Sequence, residues 1–438
     1  MRINDIFKLV SAYILERDLD RRLDVKEIHR YQDKKFRKIF KIAMKTRFYR
    51  DMYRDMIDFS RNLTLDDLGV LPLIGRENIM KAHLKDLIPE GFRGNIFKVS
   101  TSGSTGKPLI LLNDEFTALR CLLAFADELR AHGIDWRKDK ISIIGDFSFL
   151  GPEHNYMKIF SSFFPIPKKN FQLLDVGMSI KSIMSELEKF RPDFLGGYPP
   201  IIKGLSYLKK LGMGEKLQPR VIATSGSYLD NSTKRVIRDA FDANLFDSYS
   251  SAEAGAIAHQ CEEGNYHIHP ELLYIEVLDD HGMRVSDGEE GYIVVTKLYG
   301  NVSPLIRYKG LGDRVKLIGV GCECGRKSII ISDIRGRRVD PIITKDHKLI
   351  SPFAITRILC EFADKGLKLE GFHILQKHID EIEIFLDAED PDIEMIRELE
   401  KSLSRILGGV KINIKFVKHL KKNIPLVESK VDYEALVC

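Results

Sequence analysis

The densest run of chemistry-bearing residues is Thr101-Ser102-Gly103-Ser104-Thr105-Gly106-Lys107-Pro108. Gly103 and Gly106 let the backbone turn its N–H groups toward an anion with no Cβ in the way. Ser102, Ser104 and Thr105 add hydroxyl donors, and Lys107 adds a positive charge. The run reads as a polyphosphate loop. It is not a Walker A loop, G-x-x-x-x-G-K-[ST]. Thr101 stands where that motif has its first glycine, and Pro108 stands where it has the hydroxyl that holds magnesium. The flanks differ as well. Residues 97–100 and 109–112 read as strands, so the loop joins two strands instead of opening a helix. The plain alternative is a hairpin turn, but a turn needs neither so long a polar run nor a lysine.

A second constellation is built from sulfur and imidazole. Cys322-Glu323-Cys324 is a tight knuckle, and Cys261 lies upstream in a segment that also holds His259, His267 and His269. Three thiolates and one imidazole make a closed tetrahedral zinc site of structural type. The chosen set is Cys261, His267, Cys322 and Cys324, with His259 and His269 as the other possible fourth ligands. Free thiols in a reducing compartment are the alternative. Neither a Ser-His-Asp set nor a G-x-S-x-G elbow stands out.

The glycine loop resembles the phosphate loop of adenylate-forming enzymes: acyl-CoA synthetases, peptide-synthetase adenylation domains and luciferases. The surrounding sequence is most similar to the phenylacetate–CoA ligase-like branch with its capsule-biosynthesis (CapK-like) homologues, from about residue 70 onward. The resemblance implies ATP bound by Ser102, Gly103, Ser104, Thr105, Gly106 and Lys107, with Ser225, Gly226 and Ser227 lining the adenine. It implies that Tyr249 packs on the adenine and that Glu253 holds Mg²⁺, a hard cation suited to a carboxylate. Ser250 and Ala252 depart from the family's usual glycine and threonine, so a hydroxyl contact to phosphate is either absent or comes from Ser251. The run Arg307-Tyr308-Lys309-Gly310-Leu311-Gly312-Asp313 is similar to the family's R-Y-x-x-G-D, with one residue inserted. Asp313 would then accept from both ribose hydroxyls, since a carboxylate offers two acceptor oxygens. Arg337 would touch ribose or phosphate, and Asp340 would be the hinge. Lys430, after Ser429 where glycine is usual, would bridge substrate carboxylate and α-phosphate. Phe147, His154 and Tyr198 border the expected acyl pocket. Some family members carry a similar cysteine–histidine set, which adds weight to zinc.

The elements that must position these residues follow from periodicity. Residues 1–60 read as a helical cap rich in Lys and Arg, with surface contact to a membrane as the alternative. Short apolar strands near 141, 194 and 221 alternate with helices to about 241, which indicates an α/β sheet covered on both faces. Ligands of such sheets sit outside the carboxyl ends of the strands. From 266 to 334 strands alternate without helices. The expectation is an α/β adenylate-forming (acyl-CoA synthetase-like) fold. Residues 1–335 would be the large domain with a β-rich subdomain at 266–334, and residues 336–438 a small, mobile α+β domain. A chain of 438 residues suits two such cores. A hydrophobic content of 44% is that of a globular protein, and a net charge of +5 is too slight for a nucleic-acid binder. No apolar run is long enough to span a bilayer, no signal peptide is apparent, and the cytoplasm is the default.

The implied function is ATP-dependent activation of a carboxylic acid as acyl-adenylate, then transfer to CoA. The alternatives are transfer to an amine on an amino sugar or amino acid, and a non-catalytic nucleotide-binding scaffold. The partners are small molecules, and a monomer or homodimer is expected.

Overall fold

The computed structural model describes residues 14–54, 63–100, 109–147, 169–335, 342–345, 349–350, 365–388, 392–418 and 427–431, with single positions at 355, 358–359, 361–362 and 420.

The first long helix, Val25–Ala43, begins on a capping box in which Asp24 and Glu27 satisfy each other's backbone N–H. Its buried positions Ile28, Gln32, Phe36, Ile39 and Ala43 recur every three or four residues and form one face. Gln32 fastens that face by donating to the Pro270 and Leu273 carbonyls, at 3.1 and 2.9 Å. The next helix, Arg47–Tyr53, buries Tyr49 and Tyr53. The Tyr49 hydroxyl donates to Pro304 O and accepts from Ile306 N, both at 3.0 Å. This cap is thereby locked to the segment that leads into Arg307 and Asp313.

Strands β1 (Ile96–Ser100) and β2 (Ile110–Asp114) pair antiparallel with Ser100 opposite Ile110, so the glycine-rich segment is the connection of a hairpin. Asp114 then caps the helix Glu115–Ala131 through Thr117 N. The parallel strands are β3 (Ile141–Gly145), β4 (Phe171–Asp175), β5 (Phe194–Gly197), β6 (Val221–Ser225) and β7 (Asn244–Ser251). They lie in the order β4-β3-β5-β6-β7. Helices Ile180–Phe190, Pro199–Lys210 and Asn231–Ala240 bury their apolar sides in one shared core on this sheet. A separate core includes Leu129 of the helix Glu115–Ala131, together with Ile141, Phe194, Val221 and Phe246 of the sheet.

Six antiparallel strands extend the same sheet past β7. They are β8 (Gly255–Gln260), β9 (Tyr266–Ile268), β10 (Leu273–Leu278), β11 (Glu290–Lys297), β12 (Arg314–Gly319) and β13 (Ile330–Arg335). The full order is β10-β11-β12-β13-β9-β8-β7-β6-β5-β3-β4, so the β-rich stretch is the antiparallel half of one eleven-stranded sheet. Arg307 staples this half to the connector before it. Its guanidinium meets both oxygens of Glu276 at 3.0 Å and donates to Leu71 O at 2.6 Å.

Strands β14 (Ile342–Ile343) and β15 (Leu349–Ile350) form a two-residue ladder. Beyond them β16 (Leu369–His378), β17 (Glu381–Ala388), β18 (Lys411–Val417) and β19 (Val427–Ser429) form a second sheet in the order β18-β17-β16-β19. The helix Ile393–Leu407 contributes Leu399, Leu403 and Leu407 to the core of this sheet. The neighbours Ile342 and Ile343 belong to different cores. Ile342 packs with the small sheet, and Ile343 with the helices on the large one.

Candidate active site

The winding of the parallel strands reverses between β3 and β5, and the crevice at their carboxyl ends is where such sheets bind ligands. Phe147, Tyr198, Ser225-Gly226-Ser227 and Ser250-Ser251 all sit at or just past these strand ends. Gly226 has φ +83°, and a Cβ there would stand 2.5 Å from the Tyr198 ring. Only glycine allows the ring to lie against this turn. Ser225 Oγ and Ser250 Oγ are 3.1 Å apart. Ser227 Oγ is enclosed and has no hydrogen-bond partner among the described residues, as befits a group reserved for a ligand.

Residues 247–251 read as a loop in the sequence. They instead complete β7, and the pairing with β8 slips between Tyr249 and Ser250. A bulge of this kind re-aims the side chains beyond it. The Tyr249 hydroxyl donates to Asp313 Oδ2 at 2.7 Å across 64 residues of sequence. Burial of the phenol, then Asp313 and Glu253, holds its pKa well above the usual range. Tyr249 is therefore a neutral donor. The inserted residue of the 307–313 run is absorbed in a turn, where Gly312 N reaches Lys309 O at 3.3 Å and Gly312 adopts φ +74°.

Glu253 is 8% exposed, and one of its oxygens faces Arg76 Nη1 at 3.5 Å. Arg76 opens the helix Arg76–Lys81, directly after Gly75. Sequence reasoning missed it, since 177 residues separate the pair and nothing local marks this arginine. The Glu253 segment is braced from behind. Tyr299 Oη donates to Ala254 O at 2.9 Å and lies 3.3 Å from Cys121 Sγ, while Lys297 Nζ stands 4.8 Å over the Tyr299 ring. Burial pulls the Lys297 ammonium below its usual range.

Lys430 is exposed at the end of β19, and its side chain makes no hydrogen bond or ion pair with a described residue. Its backbone N–H donates to Gln376 O at 2.9 Å, and Val431 packs on the core beside the large sheet. The glycine loop from Ser102 to Lys107, His154, Arg337 and Asp340 lie outside the described residues.

No protein-family model matches the chain. It is 23% identical to protein CapK of Staphylococcus aureus over 401 residues, covering 89% of this chain and 86% of CapK. The crystal structure of 2-hydroxyisobutyryl-CoA ligase with 2-HIB-AMP and CoA in the thioesterification state superposes with a TM-score of 0.64. It covers 95% of this chain and 92% of that one at 17% identity. The open conformation of that ligase gives a TM-score of 0.60 at the same identity, over 93% and 92%. The chain shares the fold of this ligase and is similar to CapK over most of its length. The expected fold class and the stated resemblance are thus borne out.

Away from the crevice, the chain gathers the cysteine–histidine set. Cys261, His267, Cys322 and Cys324 bring their ligand atoms within 4.8 Å of one another. Cys261 Sγ and Cys322 Sγ are 3.8 Å apart, and Cys324 Sγ is 3.4 Å from His267 Nε2. The other ring nitrogen of His267 meets Ser328 Oγ at 3.2 Å, and that hydroxyl donates to Asp20 at 2.9 Å. A second partner of this kind fixes the ring of a metal-ligating histidine. Asn265 Nδ2 donates to Cys322 Sγ. Without a cation, burial and the neighbouring sulfurs push the Cys324 thiol up to about 12. The donor set and its supports fit zinc, which would act here as a staple between the β8–β9 turn and the 322–324 knuckle.

Proposed function

We propose that this protein is an ATP-dependent ligase that activates a carboxylic acid as acyl-adenylate and passes the acyl group to CoA. The observation that carries the reading is the Tyr249–Asp313 pair at the carboxyl end of β7, beside Glu253. Asp313 would accept from ribose, with the Tyr249 ring beside it for the adenine. Ser225, Gly226 and Ser227 edge that ring site, and Ser250, Ser251 and the hairpin loop from Ser102 to Lys107 would receive the phosphates. Glu253 would hold Mg²⁺, which neutralises phosphate charge when bound, while Arg76 keeps the carboxylate turned into the site. Phe147 and Tyr198 would border the acyl chain, along with His154.

In the first step a substrate carboxylate oxygen attacks the α-phosphorus, and the bond to pyrophosphate breaks. Lys430 would stabilise the charge that builds on the α-phosphate. Because Lys430 is exposed in the arrangement described above, this role requires the small unit (336–438) to rotate against the large one (1–335), with Asp340 as hinge and Arg337 beside it. In the second step the CoA sulfur attacks the acyl carbon, and the bond to AMP breaks. The setting is cytoplasmic, where ATP and CoA are at hand, and the unit is a monomer or homodimer.

An amine acceptor is the second reading, and one feature favours it. A cleft of about 600 Å³ opens between Arg76 and Gly312, and its wall carries Glu77, Asp279 and Asp280. Arg76 and Lys309 line it too, so the three carboxylates leave an acidic excess of one, which suits a cationic amine better than the phosphates of CoA. The deciding experiment supplies ATP, Mg²⁺ and an accepted acid with CoA or with a panel of amino sugars and amino acids, and identifies the products by mass. A thioester supports the first reading. An amide, weakened in D279N/D280N, supports the second. Adenylate consumption with neither acceptor would leave the transfer step unsupported.

A further inference from the structure

A second cluster of ligating side chains lies behind the large sheet, apart from both the crevice and the cysteine knuckle. Glu128 projects from the helix Glu115–Ala131, His259 from β8, and His269 from the turn after β9. All three are buried, at 2, 5 and 4% exposure, and their ligand atoms lie within 4.8 Å of one another.

The hydrogen bonding is incomplete in a telling way. His269 Nε2 meets Glu128 Oε1 at 3.0 Å, and its Nδ1 meets Glu271 Oε1 at 3.2 Å. Among the described residues, Glu128 Oε2 has no partner and neither nitrogen of His259 has one. A bare carboxylate oxygen beside a bare imidazole is costly unless something binds them. His259 has its ring 4.9 Å from that of His269 and 6.4 Å from that of His132. Burial, with His269 and Arg326 next, holds it well below its usual pKa, so it is a neutral imidazole. His132 is committed elsewhere, stacked on Phe246 and bonded to Gln260 O.

We infer that Glu128, His259 and His269 bind a divalent transition-metal ion, with Glu271 orienting His269 from the far side. A carboxylate behind a ligating imidazole is the usual support for such a ligand. Two carboxylates, Glu128 and Glu271, balance the charge of one dication. The mixed nitrogen–oxygen donor set suits zinc and its neighbours in the first transition row. The ion would tie the helix Glu115–Ala131 to the β8–β9 hairpin, whose turn carries Cys261. The competing occupant is a proton. Burial alone would lower the His269 pKa, but its bonds to Glu128 and Glu271 outweigh this and raise it to about 10. That state satisfies His269 yet leaves Glu128 Oε2 and the His259 ring without a partner, whereas an ion engages both groups.

The test is a Co²⁺ titration of the metal-stripped full chain, followed by metal content and visible absorption. Wild type should take up two ions, one with a thiolate charge-transfer band and one without. C322S/C324S should keep the ion that lacks the band. E128Q and H259Q should weaken that ion at least tenfold while retaining the thiolate band, which also reports that they have folded. A single ion in wild type carrying the thiolate band overturns the proposal. So does undiminished two-ion binding in both E128Q and H259Q.

Discussion

At the scale of single residues, the proposed function makes Asp313 the group on which nucleotide binding would turn. Its hydrogen bond from Tyr249 fixes the carboxylate in the free protein, so ribose meets an acceptor already in place. D313A should weaken ATP binding by about 10- to 100-fold, the worth of a lost bond to a charged group, and also cost about 1–3 kcal/mol of stability by stranding the Tyr249 hydroxyl. Isothermal titration with ATP checks this. Asp247 matters for another reason. It is buried and accepts from Thr224 Oγ1 at 2.5 Å and Tyr266 Oη at 2.7 Å. Burial pushes its carboxyl up to about 6, against those two bonds and the charge of Lys234 and with that of Glu128. An acid raised in the folded state binds its proton more tightly there than in the unfolded chain. Its stabilising contribution is present below the ordinary carboxylate range and is lost as pH rises through about 6. The contribution is about 3 kcal/mol. Urea melts should show stability falling from about pH 4 to pH 6 in wild type and a flatter profile in D247N. Equal slopes would contradict this account of Asp247.

Elements differ in how plainly the chain announces them. Strands β3, β5 and β6 and the helices beside them were legible because each of these strands is a short apolar run and most of the helices have a stripe of buried residues behind a capping side chain, whereas β4 was not foreseen. Asp114, Ser179 and Asp230 are such caps. The strand character of Asp247–Ser251 was not legible. Its hydroxyls and acid resemble turn residues, and only pairing with β6 and β8 makes it a strand. Strand β19 was missed for a similar reason, since three residues after a proline carry no period. The site divides in the same way. Motif residues such as Tyr249, Glu253 and Asp313 could be named from the chain. Arg76, the Glu128 cluster and Gln376 could not, because their meaning lies in partners far away in sequence. Gln376 is fully buried and bonds both backbone groups of Ile343, at 2.9 and 2.5 Å, and the Ser429 hydroxyl at 2.9 Å. It thus joins β14 to the strand that carries Lys430. Q376L strands both groups of Ile343 and should cost about 2–4 kcal/mol, read as an earlier unfolding transition of the small unit. An unchanged melt would show that this tie is dispensable.

At the scale of the whole molecule, a large sheet bearing the nucleotide residues stands beside a small sheet bearing Lys430, and the two cores meet around Ile343 and Val431. This division suits an enzyme that must change what faces its crevice between two half-reactions. Among the described residues no helix is long and apolar enough to cross a membrane. The most direct test of the central claim is exchange of labelled pyrophosphate into ATP, with Mg²⁺, over a panel of aryl, fatty, hydroxy and amino acids. The account predicts exchange that depends on one class of acid, falls by several orders of magnitude in K430A, and survives in the absence of CoA or amine. Bound ATP with no acid-dependent exchange, or exchange untouched by K430A, would contradict it.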